Sequence, residues 1–382
     1  MAPDLLLAGL AIWALGAGFD LVLGAGRRWA RPVPYLAGTA GSACVLAAGV
    51  VAVVGPGATV DLGNLLQLGR TAVRLDHLAG LFLTLTGILG VAVSSCLASW
   101  CRPQGRVRGH GQGAGYLLLL GAVSVVVVAG DVFTFLFAWE SLSVAFYVLT
   151  GVQRRSERGA TAAWVTLGAS KVSGALLLLG FLLLAGRAGT FTIAAWSGIG
   201  DGVLHSVAYA LLVAGFAAKV GMAPFQVWIP IGYPAAAGPT RAAMAGLAVN
   251  VGFYGLWRIL GVLGAPPTWL VAVVLLLGGI TALLGIAFAA VQSDLDRVIA
   301  YSSVENAGVI MVGYGVAMAG SALSLPSLTA VGLLAATLQV IAHGVAKSAL
   351  FAAAADVEAA RGTSALEGLS GAGRSRPASG VT

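Results

Sequence analysis

Charge is scarce in this chain: 9% of its 382 residues are Asp, Glu, Lys or Arg, and 59% are hydrophobic. With a mean hydropathy of +0.95, that composition excludes an ordinary soluble domain. Lysine is scarcer still. There are three, Lys171, Lys219 and Lys347, and all lie inside long apolar stretches, whereas the eighteen arginines lie between the stretches or at their ends. A lysine in hydrocarbon costs about 2.5 to 3.5 kcal/mol on insertion scales, so chance would favour the loops. Lysine can lose its proton on burial while arginine keeps its charge, so this placement points to moving protons or cations across a membrane.

Other absences narrow the reading. The three cysteines, Cys44, Cys96 and Cys101, form no Cys-x-x-Cys pair or metal-ligand spacing, and no haem, iron–sulfur or flavin motif is present. They read as small apolar thiols. No metal, no cofactor and no electron-carrying role is expected. No Gly-rich phosphate loop, nucleophile elbow or pair of catalytic carboxylates is visible, so no catalytic residue is assigned. Alternating ten-residue strands are missing too, which leaves a membrane β-barrel unsupported. The first apolar stretch has no basic run before it and begins Met-Ala-Pro-Asp4, so it reads as a retained helix, not a signal peptide.

What is present is eleven stretches long enough to span a bilayer, at roughly 4–26, 32–54, 74–100, 114–130, 131–151, 160–186, 204–230, 238–262, 267–292, 298–320 and 326–355. The expected fold is an all-α, polytopic transmembrane bundle, one membrane domain over 1–355, with 55 glycines allowing close helix packing. After Asp356 the composition turns to Arg, Gly and Ser, and 356–382 reads as a disordered cytoplasmic tail.

The net charge of +7 could suggest nucleic acid, but the arginines follow topology. Loops after odd-numbered segments hold fourteen: Arg27, Arg28, Arg31, Arg102, Arg106, Arg108, Arg154, Arg155, Arg158, Arg241, Arg297, Arg361, Arg374 and Arg376. Loops after even-numbered segments hold Arg70, Arg74, Arg187 and Arg258. This positive-inside bias puts the N-terminus outside and the C-terminus in the cytoplasm of a cell inner membrane, with the lipid bilayer and no nucleic acid as partner.

Pro224, Pro230, Pro234 and Pro239, with Gly221, Gly232 and Gly238 between them, interrupt the seventh segment just after Lys219. Unbroken helix cannot run through that spacing, and a lysine before a broken helix is a recurring arrangement at transporter ion sites. A simple helix end at Met222 followed by a loop is the plainer alternative.

The ionisable candidates follow. Glu140 is tenth in the run Asp131–Thr150, near the bilayer middle, and could ionise beside Lys219 or Lys171. The plainer role is a fixed ion pair that orders the bundle. His343 and Lys347 stand four apart on one face of the eleventh segment. Glu305 is shallow in the tenth and could face the interface. Asp20, Asp76 and His77 lie near helix ends, where solvated charges are common, and Asp294, Asp296 and Arg297 read as an ordinary turn. An acid followed by a lysine recurs, Glu140 and Lys171 then Glu305 and Lys347, at separations of 31 and 42 residues, a hint of internal duplication.

Longer motifs carry a resemblance. Phe-Ala-Trp139-Glu140, Lys219-Val-Gly-Met-Ala-Pro224-Phe-Gln-Val-Trp228-Ile-Pro230, Gln292-Ser-Asp294-Leu-Asp-Arg297-Val-Ile-Ala-Tyr301 and His343-Gly-Val-Ala-Lys347-Ser-Ala-Leu-Phe351 resemble, in order and spacing, the antiporter-like proton-conducting membrane subunits of complex I and its relatives. Ser303-Val-Glu305-Asn306 looks closest to the large membrane subunit of formate hydrogenlyase and hydrogenase four. The resemblance implies that Glu140 and Lys219 form an input pair for protons, and that segments four to eight, about 114–262, form a complete unit with nine to eleven a partial second. It also implies other membrane and peripheral subunits of a redox complex as partners.

Two departures stand out. Complex I members usually carry a lysine where this chain has Asn250, an amide that can hold water but cannot store a proton; Lys171, His343 and Lys347 are the local substitutes. The family also continues with further helices, so the chain is expected to be a C-terminally truncated member that does not conduct alone. The resulting expectation is a proton-translocating subunit of an NADH/quinone- or hydrogenase-type complex with no redox centre of its own. The alternatives are a subunit of a multi-subunit sodium/proton antiporter, with sodium as the ion, and a non-conducting structural or truncated remnant.

Overall fold

The computed structural model describes residues 1–24, 30–63, 71–101, 111–151, 157–200 and 202–372. Arg27, Arg28, Arg70, Arg102, Arg106, Arg108, Arg154, Arg155, Arg374 and Arg376 lie outside the described residues, as does the side chain of Arg158.

The chain runs α1 (Ala2–Leu23), α2 (Val33–Val54), β1 (Ala58–Gly63), β2 (Thr71–Leu75), α3 (His77–Trp100), α4 (Gln112–Val128), α5 (Val132–Thr150), α6 (Glu157–Ala188) and α7 (Val203–Val220). It continues with α8 (Ile229–Ala235), α9 (Thr240–Leu263), α10 (Thr268–Ala290), α11 (Leu295–Ala322) and α12 (Pro326–Arg361). Nine of the described helices are long and apolar enough to cross a membrane. The shorter apolar α4 and the 28-residue α11 supply the remaining expected segments. The protein is a multi-span integral membrane protein.

Aspartates start three of these helices. The Asp76, Asp131 and Asp294 carboxylates accept the backbone N–H of Ala79, Thr134 and Arg297 at 3.0, 2.8 and 3.1 Å. Each satisfies an amide that the first helical turn leaves unpaired. Small residues then let helices close on one another: a Cβ on Gly278 of α10 would stand 3.2 Å from the Gly308 carbonyl of α11. Consecutive helices pack as neighbours, α1 on α2, α2 on α3, α6 on α7, α10 on α11 and α11 on α12.

The broken segment is present, but its prolines divide the work unequally. The chain leaves α7 at Gly221, whose φ of 79° lies in the left-handed region. Pro224 follows in the non-helical stretch, whereas Pro230 sits in the first turn of α8 and Pro234 within it. A first-turn proline costs no hydrogen bond, because that N–H has no helical partner. The freed backbone finds partners inside the protein: the Ala218 carbonyl accepts the Trp228 indole N–H at 3.1 Å, and the Ala223 amide donates to Thr281 at 3.0 Å.

Four expectations change. An antiparallel hairpin, β1 on β2, lies between α2 and α3, too short for a strand pattern to stand out. The composition change after Asp356 does not end the last helix. It runs to Arg361, and Ser364 and Leu366 return to bond Leu295 and Ser293 at 2.9 Å each, so the tail cannot begin at 356. Asp20 is buried, not solvated, and accepts the Ala114 amide at 2.8 Å. Asp296 is also buried and, with Glu358, pairs with the buried Arg241, tying α9, α11 and α12 together at one end.

Asp76 is a second junction of this kind. Arg258 donates to it through both terminal nitrogens at 2.6 and 2.9 Å and to the Tyr254 hydroxyl at 3.0 and 2.9 Å. Burial alone would raise the Asp76 carboxyl, but the hydrogen bond and charge of Arg258 and the capping amide outweigh it and hold it below 3.8. A depressed folded value stabilises the protein above the unfolded value and is lost as pH falls through the folded one. Asp76→Asn should therefore cost about 1 to 2 kcal/mol at pH 7 after solvent screening and flatten the acid limb of thermal melts in detergent below about pH 4. An acid limb identical to the parent's would show that Asp76 carries none of it.

Candidate functional site: ionisable groups along the bundle

Glu140 lies midway along α5 and forms an ion pair with Lys171 of α6. Of the two lysines the sequence offered, Lys171 is the one hydrogen-bonded to it. Gly174, nearly one turn after Lys171, makes room: a Cβ there would collide with the Glu140 carboxylate. Two helices meeting at a glycine thus hold an acid and a base at membrane depth.

Lys219 sits in the last turn of α7, just before the break, and is 2% exposed. Its ammonium nitrogen has no hydrogen-bond partner among the described residues. It lies 4.3 Å from the Phe146 ring centroid and 5.6 Å from that of Trp139, both on α5. Aromatic faces attract a cation without holding it in one geometry. Trp139 immediately precedes Glu140, which brings the lysine to the same helix as the acid.

The line continues into α9. Gly252 abuts Lys219, since a Cβ there would stand 3.6 Å from the lysine Cβ. Asn250, two residues earlier and so on the opposite side of α9, lies against Gly344 of α12; it is buried and donates to the Gly246 carbonyl at 2.9 Å, while its own carbonyl oxygen has no partner among the described residues. Residues Met244–Ala248 form a π-helical turn just before it. Such a turn widens the helix, and the Ala245 carbonyl within it meets His343 Nε2 of α12 at 3.3 Å. His343 is buried and its Nδ1 is unpaired.

One turn further along α12, the Lys347 ammonium donates to the Ser302 hydroxyl of α11 at 2.7 Å. Glu305 is half-buried on that helix and accepts the Asn306 amide at 2.6 Å, and Gln339 of α12 donates to Asn306 at 2.7 Å. Ser302, Asn306 and Gln339 are absent from the sequence candidates. One signal was available: Gln339, His343 and Lys347 repeat every four residues and mark one face of α12. The structure thus brings Glu140 to Lys171, Lys219 to the ring of Phe146, His343 to the wide turn before Asn250, and Lys347 to α11. It places no ion pair between Glu140 and Lys219, or between Glu305 and Lys347. Among the described residues no three His, Cys, Asp or Glu side chains gather as metal ligands.

The family model for the NADH:quinone oxidoreductase/Mrp antiporter transmembrane region matches residues 129–378, well over half the chain and nearly every group above. The chain belongs to this family. An uncharacterised protein of Mycobacterium tuberculosis (strain ATCC 25618 / H37Rv) is 34% identical over 337 residues, covering 87% of this chain and 52% of the relative. Hydrogenase-4 component B of Escherichia coli (strain K12) is 30% identical over 292 residues, covering 75% and 43%. The chain thus spans about half the length of these curated relatives. The antiporter-like fold recurs in the Mrp complex from Dietzia sp. DQ12-45-1b, with a TM-score of 0.78 at 22% identity, over 94% of this chain and 65% of that one. As a member of this family the chain is an antiporter-like membrane subunit.

Proposed function

We propose that this chain moves protons across the bacterial plasma membrane as one subunit of a hydrogenase- or NADH/quinone-type oxidoreductase complex, with the redox chemistry on partner subunits. The observation that carries the reading is the line of ionisable and polar groups at membrane depth, Glu140 with Lys171, then Lys219, Asn250, His343 and Lys347. A bundle that needed only packing would use Gly, Ala or Ser at these places. In this reading protons enter at Glu140 and pass by way of Lys219. Asn250 relays through water without storing charge, and His343 and Lys347 receive. Helices α4 to α9 make one unit and α10 to α12 begin a second. The fourteen arginines that follow odd-numbered segments in the sequence support an N-terminus outside and a C-terminus in the cytoplasm.

The test is ion uptake by the assembled complex in liposomes during redox turnover. Proton movement independent of sodium is expected, and an impermeant label applied to the same vesicles reads the orientation. Strict dependence on sodium, with sodium moved in exchange, would instead place the chain in a sodium/proton antiporter. No ion movement would leave it a structural subunit.

A further inference from the structure

A cleft of about 260 Å³ opens where the α10–α11 hairpin meets the broken segment, away from the ionisable groups described above. It is lined by Val227, Pro230 and Ile231 from the break and α8, by Phe288 near the end of α10, and by Arg297 and Tyr301 from the first two turns of α11. Val227 is 56% exposed and Phe288 45%, and the Phe288 ring stacks on Tyr301 with centroids 5.4 Å apart. Arg297 is exposed, and neither its guanidinium nor the Tyr301 hydroxyl has a polar partner among the described residues. The nearby carboxylates are engaged elsewhere: Asp294 accepts the Arg297 amide and the Ser364 hydroxyl, and Asp296 pairs with Arg241.

Two demands meet in this cleft. Exposed valine and phenylalanine in a membrane protein call for hydrocarbon. The arginine, at the tip of a hairpin whose helices end at Ala290 and begin at Leu295, stands at the level of the lipid headgroups. Its planar fork of N–H donors matches phosphate, and the tyrosine hydroxyl one turn on adds another donor. A ligand that meets both demands joins an anion to an apolar chain. An α-helix 10 Å across fills roughly 420 Å³ in each 5.4 Å turn, so a flexible acyl chain fits the cleft better than a partner helix does.

We propose that the cleft binds one anionic phospholipid of the surrounding membrane, of the phosphatidylglycerol type. Its phosphate rests on Arg297 and Tyr301, and an acyl chain runs along Val227, Ile231 and Phe288. Basic pockets between membrane helices bind anionic headgroups in this way, and in the orientation proposed above the cleft opens to the negative cytoplasmic leaflet. Phosphatidylcholine carries the same phosphate but brings its own cation, which would stand against the arginine. The bound lipid braces the broken segment from outside, a few residues after Lys219. The site goes beyond the proposed function and rests only on the chain being a membrane protein.

Native mass spectrometry of the full chain in detergent, supplied with equal amounts of dioleoylphosphatidylglycerol and dioleoylphosphatidylcholine, tests this. Retention of one phosphatidylglycerol in preference to phosphatidylcholine is expected. Arg297→Gln should lower that retention about 5- to 10-fold. Val227→Trp, which fills the slot and leaves the charge, should lower it as well. Arg297→Lys keeps the charge without the fork and should bind more weakly while still preferring phosphatidylglycerol. Arg187→Gln, in the last turn of α6, should change nothing. Equal retention of the two lipids, full retention in Arg297→Gln, or an equal loss in Arg187→Gln would overturn the proposal. So would displacement of the lipid by inorganic phosphate, which would mark a site for a free anion. A photo-cross-linker at position 227 in the intact complex should capture lipid; capture of a protein subunit there would also overturn it. These readouts involve no ion flux, so their failure is separable from failure of the proton reading.

Discussion

Glu140→Gln should abolish proton translocation by the assembled complex, lowering proton uptake per redox turnover about 100-fold or more while assembly persists. Glutamine keeps the size and the hydrogen-bonding oxygen of glutamate but cannot bind and release a proton. If the acid only orders the bundle, the amide does much of the same work and flux survives. The change also leaves Lys171 without its counter-charge. Glu140→Gln with Lys171→Met removes that charge as well, and the double variant should assemble at least as well as the single one and remain inactive. Glu140→Asp keeps the charge on a shorter arm and should be milder. Uptake near the parent's in Glu140→Gln would sink the role given to this acid.

Lys219→Met should be equally severe in flux and gentler on folding. The amine has no hydrogen-bond partner among the described residues, so methionine leaves no donor or acceptor stranded and fills the space beside Phe146 and Trp139. Burying an amine that lacks partners costs several kcal/mol, and its removal should hold or raise the melting temperature of the complex in detergent. The proposed proton line, however, loses the titratable group placed between the Glu140–Lys171 pair and α12. Inactivity together with unchanged or higher thermal stability is the signature expected of a side chain kept for chemistry. A destabilised complex with normal flux would show instead that Lys219 is held by contacts and carries no proton. Lys219→Arg separates charge from proton exchange: arginine stays charged, so flux should stay lost.

The set of ionisable residues from Glu140 to Lys347 was readable because membrane depth makes charge expensive, so each ionisable residue in an apolar run announces itself. Its pairings were not readable. Glu140 stands between two lysines, one 31 residues on in the next helix and one in the helix after, and sequence spacing cannot rank them. The packing of α5 on α6 at Gly174 decides for Lys171. Asp20 looked like a solvated residue at a helix end and Asp296 like part of an ordinary turn, because burial there comes from helices distant in the chain: α4 for Asp20, and Arg241 and Glu358 for Asp296. Asn306 and Ser302 carry no charge and so raise no signal, although they join α11 to α12.

The sequence by itself determined that this is a bundle of membrane-crossing helices, where they run, where the seventh segment breaks, and which side chains bring charge to membrane depth. Those follow from local quantities: apolar length, proline and glycine, and the cost of each charge in hydrocarbon. Only the tertiary structure decided which lysine the central acid meets, that Lys219 rests against aromatic rings, and that a π-helical turn brings α9 to His343. It also decided that the leading ion pair lies on an outer face. Each of these depends on the rotation and approach of helices far apart in the chain, set by where small residues let backbones close and where large rings hold them apart.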